Sequence, residues 1–201
     1  MTKQELREEI RMIHFPDIPE EKLLTPLLDK LILKAYERTV TMGMTYPQNT
    51  DKALVDGSYD MSQITDFWEP RWYEYNGNKL VKMEYENISQ VPVVYSSESD
   101  RRYYYQKDKT LYMINGTTET VSIFYWAKPP VPANDTTEFV ALEDTFSPVI
   151  VSRVCWQLAQ GLKPKLVTGY IAGYNEEFKK LREYYIKKHS TNRGYVTPVD
   201  F

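Results

Sequence analysis

Apolar residues recur at helical spacing at both ends of the chain and at strand spacing in its middle. Near the N-terminus, Leu6, Ile10 and Ile13 fall on one helical face behind Thr2 and Glu5. Those two residues can satisfy each other's backbone N–H groups as a capping box. His14-Phe15-Pro16 ends that segment. Thr25-Pro26 predicts a second start, with Thr as N-cap and Pro at the first helical position. Leu27, Leu28, Leu31, Ile32, Ala35 and Tyr36 carry that helix to about Met42, and Tyr46–Asp51 reads as a loop.

The period then changes. Residues 53–126 are rich in Tyr, Val, Ile and Trp and are broken by turn signals. Trp72–Tyr75 and Leu80–Tyr85 flank Asn76-Gly77, a strong hairpin signal. Arg101–Gln106 and Thr110–Ile114 flank a second turn at Lys107-Asp108-Lys109. Between Glu119 and Trp126, Val121, Ile123 and Tyr125 alternate with Ser122, Phe124 and Trp126. The expectation is an antiparallel meander. Lys128-Pro129-Pro130-Val131-Pro132 stops it, because proline cannot donate to a ladder.

After the prolines the helical period returns. Ser147-Pro148 repeats the start signal, Val151, Val154, Cys155 and Leu158 share a face, and Gly161 is the expected stop. Leu166, Tyr170, Tyr174, Phe178, Leu181 and Tyr185 then define a last long helix. Lys187, Lys188 and His189 fall in its final turn, where positive charge suits the helix dipole. The apolar stripes of the terminal helices need partners, and each other is the simplest choice. The predicted fold is therefore α+β: a helical bundle from residues 1–50 and 133–189, a β-rich insertion over 51–132, and an extended tail over 190–201.

Composition changes this picture little. The chain has 201 residues, 42% of them hydrophobic, enough for a real core. A net charge of −3 argues against a strong basic field for nucleic acid. Arg101-Arg102-Tyr103-Tyr104-Tyr105 mixes cations with aromatics as single-strand binders do, and also reads as an ordinary strand beginning. The 17 tyrosines suit strands as well as half-wet interfaces. One cysteine, Cys155, fits a reducing compartment. Met1–Glu5 has no secretory character, so the sequons at Asn87, Asn115 and Asn134 read as chance matches. No segment has the length and apolarity of a membrane span.

Reactive constellations are missing from the pattern. Cys155 lies on an apolar helix face, where a thiol acts as a small hydrophobe. His14 and His189 are isolated, and no close ligand pair predicts zinc. Neither phosphate-binding glycine motif occurs. Glu20-Glu21 and Glu176-Glu177 read as solvated faces. No cofactor, metal or catalytic residue is expected.

From Tyr103 to His189 the order of elements resembles the head-to-tail adaptors of tailed bacteriophages. The strand pair Tyr103–Tyr105 and Leu111–Ile114 precedes Val121–Trp126, the exit Tyr125-Trp126-Ala127-Lys128-Pro129-Pro130 follows, and an acidic, loose connection leads to Pro148 and a helix pair. Tyr174-Asn175-Glu176-Glu177-Phe178 lies on the last helix. The longer β region from Leu54 to Val94 is similar to larger ring or tail-tubular members, including ring proteins of crAss-like phages. The resemblance implies a structural virion protein, assembled in the host cytoplasm as a homo-oligomeric ring of about twelve copies. It implies a portal protein on one side and a tail or nozzle ring on the other, with double-stranded DNA passing through the lumen unread. Another head-completion or tail protein, or a virion-carried cell-wall hydrolase, is the alternative. The tail itself holds Tyr195, Val196, Val199 and Phe201, apolar for a solvated end, and these are the candidate partner-docking residues.

Overall fold

The computed structural model describes residues 1–86, 102–116 and 118–190. The fold is α+β, with four α-helices and two four-stranded sheets among the described residues. The chain divides into two compact units, Met1–Tyr46 with Lys128–Phe201, and Pro47–Ala127.

The helical unit begins with α1 (Lys3–Glu9) behind the predicted capping box. The Glu5 N–H donates to Thr2 Oγ1 at 3.2 Å, and the Thr2 N–H donates to Glu5 Oε2 at 2.7 Å. The helix then widens into a π turn over Ile10–His14, closed by Phe15 N–H to the Ile10 carbonyl. An i→i+5 turn carries one residue more than an α turn, so the face rotates. Ile13, expected in the core, is 68% exposed, and Phe15 takes the buried place.

Helix α2 (Thr25–Gly43) runs where the apolar period places it. Its N-cap is Leu24 rather than Thr25 and makes no side-chain cap, with Pro26 in the first turn. The Thr25 hydroxyl instead accepts from Arg11 Nη2 at 3.0 Å. Helix α3 (Ser147–Leu162) buries Val151, Val154, Cys155 and Leu158 as predicted. It passes through Gly161 and stops at Lys163, whose φ of −142° suits a residue before proline. Helix α4 (Val167–Ser190) buries Tyr174, Leu181 and Tyr185, while Leu166 sits in the preceding 3₁₀ turn.

The connection before α3, read as loose, is tied down. The Tyr36 hydroxyl accepts from the Ala141 N–H at 3.1 Å and Thr45 Oγ1 donates to the Ala141 carbonyl at 2.8 Å. Arg7 reaches Asp135 at 2.7 Å and Asp29 at 2.6 Å, joining the connection and α2 to α1.

The β unit departs from the predicted meander. One sheet orders its strands β1-β8-β3-β4 and the other β2-β7-β6-β5. Here β1 is Pro47–Ala53, β2 Ser58–Asp60, β3 Phe67–Tyr75, β4 Asn78–Lys79, β5 Val81–Lys82, β6 Tyr103–Lys107, β7 Thr110–Met113 and β8 Thr120–Ala127. Strand β8 pairs with β1 and β3, not with its sequence neighbour β7. Most of β1 falls in the segment Tyr46–Asp51 that reads as loop, and Pro-Gln-Asn-Thr-Asp-Lys-Ala shows no apolar alternation. As an edge strand it is held by the backbone ladder of β8, which asks nothing of its side chains.

Both predicted hairpins form. Asn76 and Gly77 turn with φ of 48° and 76°, the positive pair that a type I′ turn requires. The second arm, expected to reach Tyr85, is short. After β4 the chain leaves for the other sheet, where β5 runs parallel to β6. Val121, Ile123 and Tyr125 point into the core from β8, as the alternation implies.

Candidate functional site

The chemistry sought from the sequence resolves into packing. Cys155 is fully buried on α3, and burial pushes its thiol up to about 12. A thiolate is the reactive form, so this thiol is inert at neutral pH. Alkylation of the native protein at pH 8 is expected to leave Cys155 unmodified by mass spectrometry until denaturant is added. Rapid labelling of the folded protein would overturn that reading.

His14 Nδ1 lies 3.4 Å from the Tyr170 hydroxyl, and His189 stacks on Tyr185. Among the described residues no group of three or more His, Cys, Asp or Glu side chains is placed to hold a metal. Glu176 pairs with Lys180 at 2.9 Å, and Glu20 with Arg11 at 3.6 Å. Among the described residues no helix is long and apolar enough to cross a membrane.

The tyrosine cluster is sheet packing. Tyr104 meets Tyr73 edge to face at 4.7 Å, and Tyr105 stacks on Tyr112 at 4.8 Å. Burial raises the pKa of both Tyr73 and Tyr104. Arg102 lies over the Tyr75 ring at 5.3 Å. Arg101, Asn87 and the docking candidates Tyr195, Val196, Val199 and Phe201 lie outside the described residues.

Arg71 and Arg153 each stack on aromatic rings. In the β unit, Trp72 of β3 stacks on Phe124 of β8 with centroids 4.7 Å apart. The Arg71 guanidinium rests 4.5 Å from the Trp72 ring and 4.3 Å from the Trp126 ring. The register shift between Pro70 and Trp72 breaks strict alternation, which places Arg71 beside both rings.

In the helical unit, Arg153 of α3 is only 7% exposed. Its guanidinium sits 5.2 Å from the Tyr174 ring of α4 and 5.6 Å from the Trp156 ring. It makes no ion pair among the described residues, and its Nε has no hydrogen-bond partner. Trp156 Nε1 and Gln157 Oε1, on the same flank of α3, are likewise unpartnered. The signal was present in the sequence as a lone Arg inside the apolar run Val149–Ala159.

Tryptophan, tyrosine and arginine at half-buried positions are the residues that protein interfaces favour. Both folded units carry such surfaces. A family model described as SU10 adaptor protein matches residues 1–199. The chain belongs to that family of structural bacteriophage proteins and is a virion component. No curated protein matches it.

Proposed function

We propose that the protein forms a ring between the portal and the tail of the virion and extends the channel through which DNA is packaged, retained and ejected. Membership of an adaptor family over 1–199 carries this reading. A net charge of −3 supports it, since an acidic or neutral lumen would not hold the departing genome by counterion release. Copies meet by heterologous contacts that close, giving a ring of about twelve subunits. One rim meets the portal protein and the other a tail or nozzle ring. The segment 190–201 docks on the portal-side neighbour through Tyr195, Val196, Val199 and Phe201, its alternate side chains acting as anchors.

Electron microscopy of the virion tests this reading. The expected result is a closed ring of this chain at the neck, and a single copy or a location away from the neck overturns it. Deleting Gly194–Phe201 is expected to leave a folded protein that no longer joins portal-containing particles. Unchanged incorporation of the truncated chain would remove the tail from the docking role.

A further inference from the structure

We propose that copies of this chain meet head to tail within the helical unit, the outer stripe of α1 on one copy seating on the Arg153–α4 flank of the next. This rests on the adaptor-ring reading and names the two faces that close it.

The receiving face is built around unanswered donors. Arg153 is held between Trp156 and Tyr174, with Nε and the neighbouring Trp156 Nε1 both lacking an acceptor. Buried N–H donors without an acceptor, here Arg153 Nε and Trp156 Nε1, are a costly arrangement for a monomer to keep. Helices α3 and α4 run antiparallel: Phe146 meets Tyr184 and Tyr185, whereas Trp156 meets Tyr174. Ser152 lies beside Gly173 on one side of that pair. Arg153, one residue on, therefore falls on the other side, which on α4 carries Phe178, Arg182 and Ile186. Those residues line a shallow groove with Lys179 and Glu183. Lys179 and Arg182 make no ion pair among the described residues. The groove is thus cationic with an apolar floor, and Ile186 is 58% exposed.

The outer stripe of α1 and of the π turn that continues it has the complementary character. Met12 is 75% and Ile13 68% exposed, turned outward by the π turn. Glu8, one turn before Met12, is exposed on the same side, while Glu5 is taken up by the Thr2 N–H and the Met1 ammonium. The basic residues of this segment are used internally: Lys3 by Asp135, Arg7 by Asp29 and Asp135, and Arg11 by Glu20. What α1 shows to the outside is acidic and apolar.

The two faces lie on opposite sides of α3. Cys155 lies in the core that α3 shares with Leu6 and Ile10. Arg153 precedes it by two residues, a rotation of about 200 degrees at 3.6 residues per turn. Complementary patches on opposite sides of one body cannot satisfy each other within that body. They join successive copies heterologously, which gives a ring or a filament. In the contact Glu8 faces Arg153 and Arg182, and Met12 and Ile13 cover Phe178 and Ile186.

Cysteine crosslinking tests the pairing, with the inert Cys155 giving a silent background. Ile13→Cys and Ile186→Cys full-length proteins are prepared singly and as the double variant, and a short bis-maleimide is applied both to purified protein and to particles assembled with the variants. The expected result is mixed dimers when the two single variants are combined, none from either alone, and a ladder of multimers from the double variant. Dimers from a single variant alone would mean that a face meets itself, and would overturn the pairing. So would the absence of multimers in both settings while the protein is present in particles. If instead the wild-type chain is missing from the virion neck by microscopy, the adaptor reading fails on its own terms.

Arg153→Met separates assembly from folding. The expected result is a crosslinked yield at least tenfold lower with the melting temperature unchanged or raised. A lowered melting temperature with unchanged yield overturns the role given to Arg153. Glu8→Arg should weaken crosslinking in the same way, and Arg182→Glu on the receiving copy should restore it.

Discussion

Replacing Leu181 with alanine is expected to destabilise the helical unit by about 2–5 kcal/mol, the range for truncating a fully buried leucine. Leu181 is 0% exposed and joins the core shared by α2, α3 and α4. Its Cδ2 occupies the space that a Cβ on Gly43 would need, at 2.5 Å. The end of α2 therefore approaches α4 closely because one residue is glycine and the other fills the gap. Gly43→Ala overpacks the same point and is expected to destabilise by about 1–3 kcal/mol. Combined with Leu181→Ala it should cost less than the sum, since the new methyl enters the new cavity. Urea denaturation of the three variants is the measurement, and strict additivity would mean that the two positions do not share a space. Hydrogen exchange should show the loss in the helices and leave β3 and β8 protected.

The second large effect concerns Arg7. Removing both of its carboxylates, Asp29→Ala with Asp135→Ala, leaves the Arg7 guanidinium without an acid partner and is expected to lower the urea midpoint clearly more than either single substitution. Each single substitution leaves the other carboxylate in place at 2.6 or 2.7 Å, so each alone should cost much less. Arg7→Met, which removes the buried charge itself, should be milder than the double variant. If the double variant merely equals the sum of the singles, the two acids do not answer one charge.

The same cluster sets a pH dependence. Hydrogen bonds from Arg7 first, and then from Lys3, hold the Asp135 carboxyl below its usual range. A lowered folded-state value means that the folded form releases this proton more readily than the unfolded chain. The stabilisation is therefore complete above about pH 4, the ordinary aspartate value, and is lost as pH falls through the lower folded value. Glu143 behaves alike, lowered chiefly by its bond from Lys188. Acid titration of Arg7→Met should show a shallower loss of stability below pH 4 than the parent chain, as the sign requires.

What the amino-acid order determined alone was everything carried by local period and local backbone chemistry. The faces of α3 and α4 follow from a step of three and four residues. The buried row Val121, Ile123 and Tyr125 follows from a step of two, and the turn at Asn76-Gly77 from residues that accept positive φ. The Thr2–Glu5 box was equally legible, because both partners lie within one turn.

Only the tertiary structure decided matters set by partners far along the chain. Alternation says that β8 is a strand but not that β1 and β3 flank it, because hydrogen bonding along a ladder is the same for every sequence. The polar run Pro47–Ala53 became a strand for that reason alone. The π turn at Ile10–His14 exchanged Ile13 for Phe15 in the core, a choice made where Phe15 stacks on Tyr170, a residue of α4. The unpartnered Nε of Arg153 belongs to the same category. An arginine in an apolar run is visible in the sequence, but whether a carboxylate reaches it depends on which helices pack around it. Here Trp156 and Tyr174 reach it instead.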